Sequence, residues 1–211
     1  MVKLKLFLYC TEDMYILSKV EYLYGDEFKT KYECIPNTKD GNKYLEQMGL
    51  DEILNGKVIA ECDFEVEKIF EELYGDLDWQ HDYLPTTNTM SIVDLERESC
   101  LDREELRDYC NGYAIHLKNI HIFDIFDKPR ELSDFNKIIE TTYGEEPDAP
   151  ITRAPQNMMR CCYEKKPKEW ETGVLISVKP EYLCKILNRE KRIEVRKEVL
   201  KEMLNSVQKT D

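Results

Sequence analysis

Residues 173–197 read GVLISVKPEYLCKILNREKRIEVRK, and this stretch decides how the chain is interpreted. Val174 to Val178 is an apolar run of strand length. Lys179-Pro180 ends it, a helix of about two turns follows from Glu181 to Leu187, and a second strand carries Lys191, Glu194 and Arg196. Strand alternation sets Ile193 and Val195 on one face and Glu194 and Arg196 on the other, with Lys191 at the strand entrance. The chemistry of these groups suits a planar, polar or anionic ligand. Arg196 offers a planar fork for a phosphate or a nucleobase edge, Lys191 a point charge, and Glu194 an acceptor for an exocyclic amine. Lys179, at the end of the first strand, is the next candidate. The competing reading is a solvated edge strand whose Glu194 and Arg196 pair with each other.

Working outward, the 211 residues suffice for one well-packed domain. An apolar content of 42% with 35% charged residues is that of a globular chain rather than a disordered one. No window approaches eighteen consecutive apolar residues, and the opening residues alternate Lys with Leu as a strand does, unlike an export signal. The expectation is a cytoplasmic protein without membrane contact. Eight cysteines without a C-x-x-C pair and three histidines indicate neither a zinc site nor a disulfide framework. His116 and His121 fall on opposite faces of one strand and cannot share a metal without a bulge. No metal and no cofactor are expected.

The net charge of −13 argues against an all-over basic surface for a polyanion. The charge is uneven, however: from Arg160 onward there is a local excess of +4, leaving −17 before it. A nucleic acid would therefore bind at a localised site near the C-terminus, whereas the acidic portion is suited to docking a protein partner.

Lys3 to Tyr9 and Lys57 to Phe64 read as strands, and Tyr113 to Phe123 is the clearest strand of the middle region, ended by Lys128-Pro129. Glu12 to Thr38, with Gly25-Asp26 as a turn signal, fits either a helix or a hairpin. Asn37 to Asn42 has the composition of a loop. Val66, Ile69, Phe70 and Leu73 have helical spacing ending at Gly75. Trp79 to Thr89, holding His81 and Pro85, reads as a polar loop. Asp102-Arg-Glu-Glu105 resembles a capping box that starts a short helix through Tyr109, stopped by Asn111-Gly112. The Pro-, Gly- and charge-rich segment 140–171 is the expected flexible connection, 174–197 the signature β-α-β, and 198–211 an amphipathic terminal helix, all within a single domain spanning 1–211. Many short strands with few helices suggest an α+β chain built on a small, partly open β-barrel decorated by helices.

The segment Val174-Leu-Ile-Ser-Val-Lys-Pro-Glu-Tyr182 followed by Lys185 to Arg196 resembles the signature of ASCH domains, which belong to the PUA-like barrels. The family pattern is a strand, Lys-Pro, a helix ending in Ile-Leu-x-Gly, and then Lys-x-x-Glu-x-Arg, whose last part Lys191, Glu194 and Arg196 match one for one. Phe7 to Thr11, Gly56 to Glu61, Ser99 to Leu101, Gly112 to Ala114, Lys128 to Phe135 and Thr152 to Gln156 look like further pieces of phage and low-GC Gram-positive members. In that group the Lys-Pro strand usually opens the protein, so the order here resembles a circular permutation, which a compact domain tolerates when its original termini lie close together. Arg189 stands where the family has its helix-ending Gly, beside Asn188, which accepts the left-handed conformation of a helix cap.

The resemblance implies a pocket formed by Lys179, Lys191, Glu194 and Arg196, with Tyr9, Thr11 and Arg189 at the rim, facing RNA or a modified nucleobase or nucleotide. Accessible base edges of single-stranded or flipped nucleotides suit such a pocket. An acidic protein-interaction role is the alternative from a second class. Some family members are amidohydrolases with a Thr nucleophile three residues after an activating Lys, and others look like ribonucleases. Here Glu194 occupies the nucleophile position, which argues against acyl transfer by that route.

Overall fold

The computed structural model describes residues 4–48, 53–74, 82–123 and 130–207. In chain order the elements are β1 (Lys5–Cys10), β2 (Tyr15–Tyr24), β3 (Glu27–Pro36), α1 (Lys39–Met48), β4 (Lys57–Tyr74), β5 (Asp82–Thr87), α2 (Ile92–Ser99), α3 (Arg103–Arg107), β6 (Tyr113–Ile122), β7 (Arg130–Glu131), β8 (Phe135–Thr141), β9 (Gly144–Pro150), β10 (Met158–Lys166), β11 (Glu169–Val178), α4 (Pro180–Leu187), β12 (Ile193–Arg196) and α5 (Lys201–Val207). The architecture is α+β. The chain divides into two units: the first takes the chain through Cys62 and again Ile120–Arg189, and the second takes Asp63–Asn119 and the chain from Glu190 on.

In the first unit β1 is central. It pairs parallel with β11, from Lys5 opposite Gly173 to Cys10 opposite Val178, and antiparallel with β4, where Leu6 faces Cys62. The order β4-β1-β11-β10-β8-β9 follows. Both faces of β1 are covered, which is why Leu6 to Cys10 are all buried. Phe7 packs its ring 5.1 Å from Phe135 and 5.4 Å from Tyr163, in a core completed by Tyr9, Val58, Phe123 and Leu175. Gly173 is needed at this seam, because a Cβ there would lie 2.3 Å from the Lys5 carbonyl and 2.6 Å from the Phe7 ring.

Residues 15–36 form a hairpin turning at Gly25, whose φ is +65°. Its inner half is tied to α4: Asn188 accepts the Tyr32 N–H at 2.9 Å and donates to the Tyr32 carbonyl at 2.8 Å. The left-handed residue closing α4 is Arg189 itself, with φ +64°, while Asn188 keeps φ −79° and spends its side chain on Tyr32. The cap expected at Asn188 is thus displaced by one residue, onto a residue that pays for its Cβ.

In the second unit the order is β5-β4-β6-β12. The capping box is present: Asp102 accepts the Glu105 N–H at 2.9 Å, and Glu105 accepts the Asp102 N–H at 2.9 Å. Gly112 allows the chain to pass where a Cβ would lie 2.5 Å from the Arg196 carbonyl.

Several expectations are corrected. Residues 66–74 continue β4 instead of forming a helix: they pair antiparallel with β5, and Phe70 and Leu73 are exposed, so the four apolar residues never form one buried stripe. The polar segment around Pro85 contains β5, whereas Trp79 and His81 lie outside the described residues, as do Gly75 and Lys128-Pro129. The loop expected at 37–42 gives way to α1 from Lys39. The connection expected at 140–171 carries the end of β8, all of β9 and β10 and the start of β11. Its composition is that of an exposed edge: β9, with Pro147 and Pro150 and two glutamates, is exposed throughout, and such residues protect an unpaired strand. Among the described residues neither unit's pairings close on themselves; the first path ends at β9 and the second at β12. Among the described residues no helix is long and apolar enough to cross a membrane.

Candidate functional site

β12 pairs antiparallel with β6, setting Ile193 opposite His116, Glu194 opposite Ile115 and Arg196 opposite Tyr113. As alternation requires, Glu194 and Arg196 share a face and meet, Arg196 Nη2 to Glu194 Oε1, at 3.0 Å. Lys191 joins from the strand entrance, its Nζ 3.4 Å from Glu194 Oε2 and donating to the Ser99 carbonyl at 2.6 Å. The three matched residues therefore converge in one network, but they are covered. Lys191 is 1% exposed and Glu194 7%, and only Arg196 is half-buried. Burial lowers the Lys191 pKa below the usual lysine value, with the Glu194 carboxylate acting against the shift. Lys191 is thus an internal tie between β12 and the end of α2, not the exposed point charge expected of a ligand contact. Tyr109 borders the same network: burial raises its pKa first and the Glu194 charge second.

The other expected residues lie in the first unit. Lys179 is the exposed N-cap of α4 and makes no side-chain capping bond. Arg189 is exposed at the end of that helix. Tyr9 is 8% exposed within the aromatic core, so it is a packing residue, not a rim ring. Thr11 donates its backbone N–H to the Val178 carbonyl at 3.0 Å, and its buried hydroxyl has no hydrogen-bond partner among the described residues.

The open space beside β12 is elsewhere than the triad. A cleft of about 400 Å³ in the second unit is lined by Thr89, Met90, Arg97, His116, Lys118 and Arg192, together with Asp94, Glu98, Leu117 and Ile193. The pairing of β12 with β6 builds it: His116 and Lys118, two apart on β6, share a face, and Arg192 immediately precedes the strand opposite. The Arg192 N–H donates to Glu98 at the end of α2 (2.8 Å), and the Leu117 N–H to Arg192 (2.9 Å), so helix and strand rims are fixed to each other. Behind the imidazole, Glu67 Oε1 lies 2.5 Å from His116 Nε2 and accepts the Thr89 hydroxyl at 2.8 Å. At the rim, Arg97 pairs with Asp94 at 2.8 Å and Glu98 at 3.2 Å, and Arg192 reaches Glu98 at 3.8 Å. These cations are 65% and 70% exposed, and exposed pairs of this kind are worth about 0.2–1 kcal/mol each. An incoming anion can exchange for the carboxylates at little cost.

His116 and His121 engage different carboxylates, Glu67 and Glu61 respectively, the latter at 3.6 Å. Burial pushes the Cys10 and Cys34 thiols up to about 12, which keeps them protonated and poor nucleophiles near neutrality. Of the lining residues, Arg97, Lys118 and Arg192 were not singled out by sequence and His116 only as a histidine without a metal partner, since the β6–β12 register that gathers them is carried by no local pattern.

Comparison of the chain with protein-family models, with curated proteins and with solved structures found no match.

Proposed function

We propose that this protein is a binding module for RNA or for a nucleobase or nucleotide, and that the ligand occupies the cleft beside β12. The observation that carries this reading is the convergence of Arg97, Lys118 and Arg192 with the His116 imidazole around one open hollow of nucleotide size. Two guanidinium forks suit phosphate oxygens, and the imidazole with the Met90 side chain offers a soft flat contact for a base. Lys191, Glu194 and Arg196 then act from below: their buried network fixes β12, and with it the position of Arg192 and Ile193, instead of touching the ligand with all three charges. Arg196, half-buried at the strand's far end, pairs with Glu194 and does not line the cleft.

The reading is in keeping with the likeness of residues 174–196 to the ASCH signature, and we infer on that likeness a PUA-like fold in permuted order. It also accommodates the overall charge. An acidic chain binds a polyanion only at a local site, and such binding weakens with salt. Two or three phosphate contacts on a single strand, at a slope of about −0.7 each, predict a loss of about 7- to 20-fold in affinity between about 50 and 200 mM salt. The test is fluorescence anisotropy with a labelled single-stranded RNA at both salt concentrations, for the parent and Arg192→Ala. The variant should bind more weakly and show a shallower salt dependence with an unchanged melting temperature. RNA binding by the variant equal to that of the parent would remove the cleft from the account.

A further inference from the structure

The β2–β3 hairpin carries more apolar surface than its own fold requires. Ten paired residues per strand extend about 34 Å at ~3.4 Å per residue. Among the described residues the inner part is anchored, at Leu17 by the Asn55 side chain and at Tyr32 by Asn188. Beyond it residues 21–31 are all exposed, and they include Tyr22, Leu23, Tyr24 and Phe28, the last at 81%. An isolated two-stranded ribbon is marginal in water, and a cluster of large exposed rings at its tip marks a contact surface.

The register sorts these side chains by face. Tyr22 is opposite Lys29, Tyr24 opposite Glu27 and Val20 opposite Lys31, so Tyr22, Tyr24, Glu27, Lys29 and Lys31 stand on one face, while Leu23 and Phe28 pair on the other. Lys29 places its ammonium 4.1 Å from the centre of the Tyr24 ring. Two rings two residues apart are separated by about 6.8 Å, twice the ~3.4 Å rise of stacked bases, so one base fits between them or two unstacked bases lie on them. The ammonium lies over the Tyr24 ring and covers one of its faces, so a base stacking there displaces it toward the bound strand's own phosphate. The Lys31 ammonium makes an exposed contact with Glu33 at 4.0 Å, which a phosphate can displace. Asp26 and Glu27 at the turn repel phosphate, which directs the strand along the Lys29–Lys31 side and not over the tip.

We propose that this face of the hairpin is a stacking platform for single-stranded nucleic acid. It is separate in residues from the cleft and shares with it only the class of ligand. Exposed aromatic rings with cationic side chains close by are the chemistry by which single strands are held without sequence preference. The full chain is titrated with a labelled oligouridine of about ten nucleotides, within the ~4–16 covered by surfaces of this type, and with the same backbone lacking bases. Tyr22→Ala/Tyr24→Ala should weaken binding of the oligouridine at least about fivefold per ring, whereas Tyr22→Phe/Tyr24→Phe should retain it. The base-free strand should bind poorly to the parent, and ultraviolet crosslinks should map to residues 15–36.

Unchanged affinity in the folded alanine pair overturns the proposal, as does equal binding of the base-free strand. If sedimentation shows that the alanine pair dissociates an oligomer without altering oligouridine affinity, the face covers a second copy of the chain and the proposal fails. Loss of binding in Arg192→Ala alone sinks the platform and keeps the cleft. Loss in the tyrosine pair alone does the reverse, and no binding by the parent chain overturns both.

Discussion

Replacing Lys191 by Ala removes the partner of a covered carboxylate. In the parent, Lys191 Nζ contacts the Ser99 carbonyl at 2.6 Å and Glu194 Oε2 at 3.4 Å, and Arg196 meets the other Glu194 oxygen at 3.0 Å. Breaking one side of a buried ion pair costs about 3–5 kcal/mol, because the remaining charge is left without compensation. That is a large part of the roughly 5–15 kcal/mol that stabilises a typical domain. Chemical denaturation followed by circular dichroism measures the loss. In a double-mutant cycle, Lys191→Ala combined with Glu194→Gln should cost less than the sum of the single changes, by about 0.5–3 kcal/mol. Additive effects, or a loss below about 1 kcal/mol for Lys191→Ala, would refute the claim that this network ties β12 in place.

The pH dependence of the same group has a defined sign. Burial lowers the folded pKa of Lys191 from its ordinary 10.5, so the unfolded chain holds the proton more firmly, and stability rises with pH through the window below that value. Subtracting the Lys191→Met profile from that of the parent isolates this rise; a difference that is flat in alkali contradicts it. The thiols act in the opposite sense. Cys10 and Cys34 are raised from 9.0 to about 12, so the stability they contribute is complete below 9.0 and is lost as pH climbs toward 12; alkaline denaturation monitored by tyrosine absorbance should show that fall, and Cys10→Ala should reduce it. Arg189→Gly should raise stability by about 1–2 kcal/mol, since it removes the penalty of a left-handed non-glycine residue, and an unchanged melting temperature would deny it. Gly173→Ala should destabilise the first unit by several kcal/mol or prevent its folding, because the added carbon has the Lys5 carbonyl 2.3 Å away and no flexible neighbour to move; soluble expression with a parental melting curve would count against this.

What the sequence made legible was local. The Lys179-Pro180 break between a strand and α4, the reciprocal Asp102–Glu105 cap and the strand at β6 each depend on neighbours within a few residues, and each is present, although β6 does not alternate strictly: Ala114 and Ile115 are both buried and Asn119 has φ +49°. Residues 66–74 imitate a helix in their apolar spacing, while pairing with residues 82–87, from eight to eighteen positions away, makes them a strand. Segment 140–171 was misread because an exposed edge strand and a connection share one composition. At the candidate site, parity brought Glu194 and Arg196 together correctly. It could not show that Ser99, ninety-two residues from Lys191, covers the lysine, nor that β6 brings His116 and Lys118 to the strand entrance.

Amide hydrogen exchange with and without a short single-stranded RNA tests the cleft most directly. Bound RNA should protect residues 113–118 and 190–196 together, and the protection should disappear in Arg192→Ala. Saturating RNA that leaves both segments exchanging as in the free protein would contradict the assignment.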